Sequence, residues 1–111
     1  QFVNKEICMK YDQGKTDLSL MPPEALTEIS RVLMFGAEKY GRNNWRDDGN
    51  TTPHSRTYAS VQRHLNSYWQ GEDFDPESMQ RHLAHAATQL IILMMHTHDG
   101  HANMDDRYPP F

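Results

Sequence analysis

The chain has 111 residues, 37% of them hydrophobic, with a formal net charge of -4. This length fits one domain, 1–111, and the low mean hydropathy of -0.84 favours a few helices over a thick sheet sandwich. The basic residues are scattered, which excludes the basic patch of a duplex-binding protein and leaves room for a small polyanionic ligand handled through metal ions.

Membrane insertion and an internal disulfide are also excluded. No apolar run approaches the roughly 18 residues of a spanning helix, nothing resembles a secretory leader, and Cys8 is the single cysteine. We therefore expect a protein of the reducing cytoplasm that binds neither membrane nor nucleic acid.

The first helix follows a predicted extended arm, residues 1–20, which has no sustained hydrophobic period. The pattern predicts a helix over 22–40, because Pro22 and Pro23 suit a first turn and Gly41 supplies a stop. Its predicted core stripe keeps a three/four spacing and consists of Leu26, Ile29, Leu33, Ala37 and Tyr40.

Two more helices follow a polar loop, residues 42–52. One is predicted over 52–70 with Thr52 as its N-cap, and its buried face consists of Tyr58, Val61, Leu65 and Tyr68 or Trp69. The other is predicted over 75–98, because Asp75 and Pro76 suit the N-cap and first position. Its core stripe consists of Met79, Leu83, Ala87, Leu90 and Met94. Residues 100–111 are predicted to be a tail that frays or docks on a partner subunit.

These elements predict an all-α fold, a bundle of three to four main helices. Because so few residues are apolar, we expect subunit association to complete the core.

A candidate metal site lies around the third helix. At 100° per residue, His82, His85 and Gln89 fall within about 60° of one another on one helix face. The acidic candidates are Glu38 near the end of the first helix and, just upstream of the third, Glu72, Asp73 and Asp75. Oxygen ligands with an optional imidazole suit Mg²⁺ or Mn²⁺ better than structural zinc. Alternatively, the acids only stabilise a helix N-terminus and the histidines are hydrogen-bonded core residues.

The second helix and the loop before it carry candidate substrate contacts. Arg56, Arg63 and His64 share a helix face, and arginines so placed can clamp phosphate oxygens. Alternatively, Arg63 pairs with Glu72 or Asp75 and only holds the third helix in place.

In the loop, Asn44 and Trp45 can supply hydrogen bonds and a stacking surface to a base. Alternatively, Trp45 is a lid over the core.

A different motif has the order of the HD-type phosphohydrolases, which also act on nucleotides. It consists of His64, the pair His98 and Asp99, and Asp105 or Asp106. Such short matches are common in a chain with seven histidines, and that fold normally needs more helices than fit between these positions.

Seven short strings are specific in combination: KYDQGK (10–15), PPEAL (22–26), FGAEKYG (35–41), NW (44–45), RH (63–64), GEDFD (71–75) and HLAHA (82–86). Together they resemble the small phage-encoded dATP/dGTP diphosphohydrolases of the MazZ type, relatives of the all-α MazG and HisE pyrophosphohydrolases. The resemblance spans about residues 10–98.

The resemblance implies an enzyme that converts dGTP, or dATP, to the monophosphate and pyrophosphate with Mg²⁺ or Mn²⁺. It also implies a MazG-like helical homo-oligomer, a dimer or tetramer, whose product can feed modified-purine synthesis. MazG relatives carry ExxE and ExxD pairs on facing helices. Here Phe35 lies three residues before Glu38, and His82 and His85 take the helical ExxD positions.

The predicted reaction is an in-line displacement at the α-phosphorus in which metal charge does most of the catalysis. The predicted catalytic residues are Glu38, Glu72 and His82. The predicted metal ligands are Glu38, Glu72, Asp75, His82 and His85, with His85 best suited to a supporting role. The predicted phosphate contacts are Lys15, Lys39, Arg56 and Arg63, and Asn44 and Trp45 hold the purine. A non-catalytic phage interaction protein with pH-sensing or structural histidines is the alternative of a different class.

Overall fold

The computed structural model describes residues 14–108, apart from the side chains of Asp48 and Ala102. It contains three α-helices, α1 (Pro23–Tyr40), α2 (His54–Trp69) and α3 (His82–His98). Short 3-10 helices lie at Leu18–Leu20, Asn44–Arg46, Asp48–Asn50 and Ala102–Met104. The helix α3 packs against both other helices, and most extensively against α2. The predicted all-α class is confirmed over this part of the chain.

Two sequence predictions fall partly or wholly outside residues 14–108. They are most of the predicted arm, with Cys8 and the start of the KYDQGK string, and the last three residues of the tail. None of the described helices is long and apolar enough to cross a membrane.

The helix α1 follows its sequence closely. Pro22 is its extended N-cap, and Pro23 occupies the first position, where no N–H is needed. Gly41 ends the helix with a φ of 96°, and its N–H donates to the carbonyl of Ala37 at 2.8 Å. The predicted helix over 22–40 is confirmed to within one residue.

The helix α2 ends near its predicted position but begins differently. The predicted side-chain cap by Thr52 is wrong, since the helix starts at His54 without a side-chain bond from its N-cap, Pro53. The tail supplies the carboxylate instead. Asp106 accepts the Ser55 N–H at 2.9 Å and the Ser55 hydroxyl at 2.5 Å. An anionic side chain thus satisfies the positive end of this helix from far along the chain.

The predicted start of the third helix at Asp75 is wrong, because α3 begins at His82. The Asp75 side chain does accept the N–H groups of Glu77 and Ser78, at 2.8 and 3.3 Å. However, Met79 has a left-handed φ of 60°, which ends this single turn. The N-cap pattern read from the sequence therefore belongs to a turn in a loop.

We call residues 72–81 the acidic loop. An isolated antiparallel bridge joins Phe74 to Arg81, and the His82 N–H donates to the Asp73 carbonyl at 2.8 Å. The guanidinium of Arg81 donates to both carboxylate oxygens of Glu28 on α1, at 2.8 and 3.1 Å. These contacts close the loop and fasten it between α1 and the start of α3.

The buried faces of the helices are small or polar. The buried hydrophobic side chains in the described range are Val32, Val61, Ala84 and Ala86. The buried polar ones are His54, Thr57, His82, His85, Thr88 and His96. The helices α2 and α3 thus bury mainly imidazoles, hydroxyls and small side chains, while several of their large apolar side chains are exposed.

The predicted core stripes are therefore largely wrong. Of their members only Val61 is buried, and the exposed ones are Leu26, Tyr40, Tyr58, Leu65, Tyr68, Trp69, Met79, Leu90 and Met94. Ile29, Leu33, Ala37, Leu83 and Ala87 are half-buried. Self-association, which would cover such apolar surface, stays a prediction.

Met79 provides a test of the acidic loop, since it has a positive φ and is 65% exposed. Because β-branched residues tolerate this backbone poorly, Met79→Val should lower the free energy of unfolding by about 1–2 kcal/mol. Met79→Gly should leave it unchanged or raise it. Urea unfolding measures both variants. Met21→Val is the control, because Met21 is 58% exposed on extended backbone, and an equal loss there would contradict the left-handed turn.

Candidate active site

Two imidazoles and a carboxylate converge where α2, α3 and the acidic loop meet. Potential ligand atoms of His64, Asp75 and His82 all lie within 4.8 Å of one another, and within residues 14–108 no other group of this kind occurs. The Nδ1 atoms of His64 and His82 are 2.9 Å apart. His82 is buried, and the other two residues are half-buried. We call these three residues the His/Asp cluster.

Glu72 fixes the protonation pattern of His82. Its Oε1 lies 2.7 Å from Nε2 of His82. A carboxylate can only accept, so Nε2 carries the proton and donates it. In the neutral ring, Nδ1 is then a bare lone pair. His82 therefore presents an electron-pair donor to the cluster.

His64 is held by stacking. Its ring is nearly parallel to that of His85, with centroids 4.6 Å apart and an interplanar angle of 8°. Burial lowers the pKa of His64, and the neighbouring His85 and His82 lower it further, although Asp75 opposes them. Both effects favour the neutral imidazole, which is the form that binds metal ions.

The position of His85 is fixed by a hydrogen bond to the Ser78 hydroxyl and not by a member of the cluster. Its Nε2 lies 2.6 Å from Oγ of Ser78, and that oxygen accepts the Gln80 N–H at 3.1 Å. The Ser78 hydroxyl therefore has its own proton available for His85. Burial lowers the pKa of His85 against the opposing charge of Asp75. A neutral, fixed His85 is a platform for the His64 ring.

Asp75 supplies the negative charge of the cluster. Burial alone would raise its pKa, but the N–H groups of Glu77 and Ser78 and the facing imidazoles of His85 and His64 hold the pKa below its usual value. Both N–H groups bind Oδ1. The carboxylate is thus ionised at neutral pH, with Oδ2 left for another partner.

A cavity of about 640 Å³ lies beside the cluster, because its wall includes His85, whose ring stacks on His64. Side chains on one face of α3 line it: His85, Thr88, Gln89, Ile92 and His96. At 1.5 Å per residue, the positions of His85 and His96 are about 16 Å apart along the helix. The other walls come from α1, the loop after it and Thr57 of α2. Its volume is in the range of small-molecule pockets.

The end of the cavity distant from the cluster is built by Trp45 and His96. Nε2 of His96 lies 2.7 Å from the carbonyl oxygen of Trp45, and a carbonyl only accepts, so this nitrogen donates. The two rings are tilted, with centroids 6.0 Å apart. This hydrogen bond from the buried His96 attaches the Trp45 loop to α3.

The residues predicted to bind metal are only partly brought together. His82 and Asp75 belong to the cluster, Glu72 bonds to His82, and His85 stacks on its other imidazole. Glu38 is exposed on α1 and lies outside the cluster. Its role as a ligand stays a prediction.

The predicted substrate contacts divide in the same way. Lys39, Asn44 and Trp45 line the cavity. Lys39 also pairs with Glu77 of the acidic loop at 2.9 Å. The remaining three, Lys15, Arg56 and Arg63, are exposed and do not line this cavity, so their phosphate contacts stay predictions.

Sequence reasoning missed the place of His64 and much of the cavity wall. His64 was grouped with the arginines of α2, yet Thr57, Val61 and His64 keep a four/three spacing on the helix face that turns inward. That spacing could have identified it. Four further cavity residues were also not singled out from the sequence, namely Arg42, Thr57, Thr88 and His96.

The residues of the HD-type alternative do not converge in the described structure. Asp99 forms a bidentate pair with Arg46, at 2.9 and 3.1 Å, and the side chain of His98 is 77% exposed. Asp105 pairs with Arg107, while Asp106 binds α2. His64 instead belongs to the His/Asp cluster, and the other members of the motif make separate contacts of their own.

Comparisons with known proteins agree with the resemblance in the sequence. A family model described as "dATP/dGTP diphosphohydrolase, N-terminal" matches residues 5–107. A curated dATP/dGTP diphosphohydrolase of Salmonella phage PMBT28 is 39% identical over 85 residues, which make up 77% of this chain and 28% of that relative. The chain thus matches less than a third of the relative's length. No solved structure matches the chain.

The contact between His96 and Trp45 can be tested by spectroscopy. In a Trp69→Phe background, where the remaining Trp45 reports alone, His96→Leu should shift the fluorescence spectrum to the red. It should also lower the free energy of unfolding by about 1–3 kcal/mol, because the carbonyl of Trp45 loses its donor. His96→Gln keeps an N–H donor and should recover part of both losses. His98→Leu, at an exposed position, is the control, and equal effects in the two leucine variants would contradict the anchor.

Proposed function

The chain belongs to the family described as dATP/dGTP diphosphohydrolase, N-terminal, and we propose that it converts a deoxypurine triphosphate, dGTP or dATP, to the monophosphate and pyrophosphate. The observation that carries the proposal is that His85, whose ring stacks on His64 of the His/Asp cluster, also lines the cavity. A binding pocket and a set of metal-ligand side chains are thereby neighbours, as phosphoryl chemistry on a nucleotide requires.

The cavity suits a nucleotide placed lengthwise along α3. We place the triphosphate toward the His/Asp cluster and the base against Trp45, whose ring offers a stacking surface. The amides of Asn44 and Gln89 lie on the cavity wall and can hydrogen-bond to the purine edge. Lys39 on the same wall supplies positive charge near the phosphates.

The reaction we propose is an in-line displacement at the α-phosphorus. Two imidazoles and an ionised carboxylate can hold a divalent ion, and from the family resemblance we propose Mg²⁺ or Mn²⁺. Such an ion would neutralise charge on the triphosphate and lower the pKa of the attacking water. Asp75 and His82 would hold it, Glu72 would orient His82, and His85 would hold the His64 ring in place. Cavity walls that exclude bulk water would strengthen these interactions.

We also propose that the active form is a homo-oligomer, a dimer or tetramer. Large apolar side chains lie exposed on α1 and α3, among them Leu26, Met34, Leu90 and Met94. Exposed apolar side chains of this size often mark an interface when they form a patch, which supports association.

The setting we propose is the cytoplasm of an infected host cell, where the released monophosphate feeds modified-purine synthesis. The phage origin of the relative and the single cysteine of the chain support it. The net charge of -4 supports a protein that binds neither nucleic acid nor membrane.

The direct test incubates the chain with each common NTP and dNTP in Mg²⁺ or Mn²⁺ and separates the products by ion exchange. We expect dGTP or dATP to be consumed, with equal amounts of monophosphate and pyrophosphate, and no turnover in excess EDTA. Release of inorganic triphosphate would favour the HD-type alternative. If no nucleotide is consumed with either metal, the enzyme proposal fails and the interaction protein is favoured.

Variants test the placement of the metal. Asp75→Asn should lower kcat about a hundredfold or more, because it removes the anion of the cluster. The sequence-based hypothesis expects a similar loss in Glu38→Gln, which is nearly isosteric but uncharged. Glu24→Gln, also exposed on α1, is the matched control. A folded Glu38→Gln variant that keeps most of its turnover would exclude Glu38 as a catalytic ligand. Full activity in Asp75→Asn would exclude the His/Asp cluster as the catalytic metal site.

A further inference from the structure

We propose that Nδ1 of His64, Nδ1 of His82 and the carboxylate of Asp75 ligate one transition-metal dication in preference to Mg²⁺, with Glu72 positioning His82 without touching the ion. The inference deepens the proposed function, because it assigns the ligands of the metal ion and the class of metal. It also moves Glu72 from the predicted ligands to a supporting role and adds His64, which the sequence had placed elsewhere.

The spacing of the two imidazole nitrogens fits a shared ion. Two nitrogens that each lie about 2.1 Å from one ion, at about 90° to each other, are about 3 Å apart. The Nδ1 atoms of His64 and His82 are 2.9 Å apart. One ring nitrogen of each histidine and a carboxylate oxygen of Asp75 lie within 4.8 Å of one another, so small side-chain movements can bring three donors onto one ion.

The contact between Glu72 and His82 determines which nitrogen faces the ion. Metal-binding histidines usually donate their other ring N–H to a carboxylate or carbonyl, which fixes the tautomer and the ring orientation. Oε1 of Glu72 lies 2.7 Å from Nε2 of His82, on the opposite side of the ring from the cluster. Glu72 is half-exposed while the His82 side chain is 5% exposed, so the carboxylate approaches from the surface.

The other two ligands are also held in place before any ion binds. Oδ1 of Asp75 accepts two backbone N–H groups, which orients Oδ2 and leaves it without a hydrogen bond among the described contacts. The His64 ring is stacked on His85, and His85 is fixed by Ser78. Three protein ligands leave open coordination positions for phosphate oxygens or water.

The donor set decides the class of metal. Mg²⁺ strongly prefers oxygen ligands and keeps much of its hydration shell. Imidazole nitrogens suit first-row transition metals, and affinity rises from Mn²⁺ through Co²⁺ for a given set of ligands. Two imidazoles and one carboxylate should therefore bind Co²⁺ and Zn²⁺ most tightly, Mn²⁺ less tightly and Mg²⁺ most weakly.

The first experiment measures binding without any nucleotide. The chelator-treated chain is titrated calorimetrically with Mg²⁺, Mn²⁺, Co²⁺ and Zn²⁺. We expect one ion per chain, with Co²⁺ bound about tenfold or more tightly than Mg²⁺. His64→Gln should abolish the tight Co²⁺ site, while His98→Gln, at an exposed histidine, should leave it unchanged. Equal affinity for Mg²⁺ and Co²⁺, or unchanged Co²⁺ binding in His64→Gln, would overturn the inference.

The second experiment separates positioning by Glu72 from ligation. Glu72→Gln should weaken Co²⁺ binding by about ten- to a hundredfold, as loss of such a partner usually does. The visible spectrum of the bound Co²⁺ should keep its shape, because the ligands are the same. A changed spectrum would make Glu72 a ligand and overturn its assignment.

A third measurement needs no variant. In the Zn²⁺-loaded wild-type chain, long-range ¹H–¹⁵N spectra should show His64 and His82 bound through Nδ1, and attachment through Nε2 of His82 would overturn the inference. A chain that binds Co²⁺ as described but hydrolyses no deoxypurine triphosphate keeps this inference and refutes the proposed function. Hydrolysis that depends on an ion bound outside the cluster would support the proposed function and refute this inference.

Discussion

The burial of imidazole rings between α2 and α3 is the constraint on which the rest of the site depends. A buried ring nitrogen costs free energy unless it has a partner. Nε2 of His82 finds Glu72, Nε2 of His85 finds Ser78, and the Nδ1 atoms of His82 and His64 face each other. Two of these partners belong to the acidic loop. The imidazoles therefore position the loop, just as the loop orients the imidazoles.

Helix ends were predicted most accurately where they depend only on residues at the end itself. Proline at the first position and glycine after the last are consequences of the backbone alone, so α1 was predicted to within one residue. The start of α3 was missed for a non-local reason. Asp75 does cap a turn, but the chain then leaves helical geometry at Met79, and the bond of Arg81 to Glu28 on another helix stabilises that course.

Only those features of the site could be predicted that follow from helical spacing or from residues adjacent in the chain. The shared face of His82 and His85 and the nearby acids follow from counting residues, whereas the identity of the facing helix does not. Apolar periodicity misled the core prediction, because α3 turns imidazoles and hydroxyls inward and leaves Leu90 and Met94 exposed. Thr88 was not predicted as a cavity residue for the same reason, since a threonine on a helix has no distinctive chemistry.

The cluster and its supports all lie in one uninterrupted stretch of chain, from His64 to His85. Contacts between residues so near in sequence require little loop closure, so this stretch can assemble early in folding. The cavity differs, because its walls need α1 and the distant end of α3. The segment that carries the proposed ion site can therefore be inherited or exchanged as one unit, while the proposed base-binding walls change independently. Related chains would then share the proposed reaction chemistry while differing in the nucleotide that the proposed base-binding walls select.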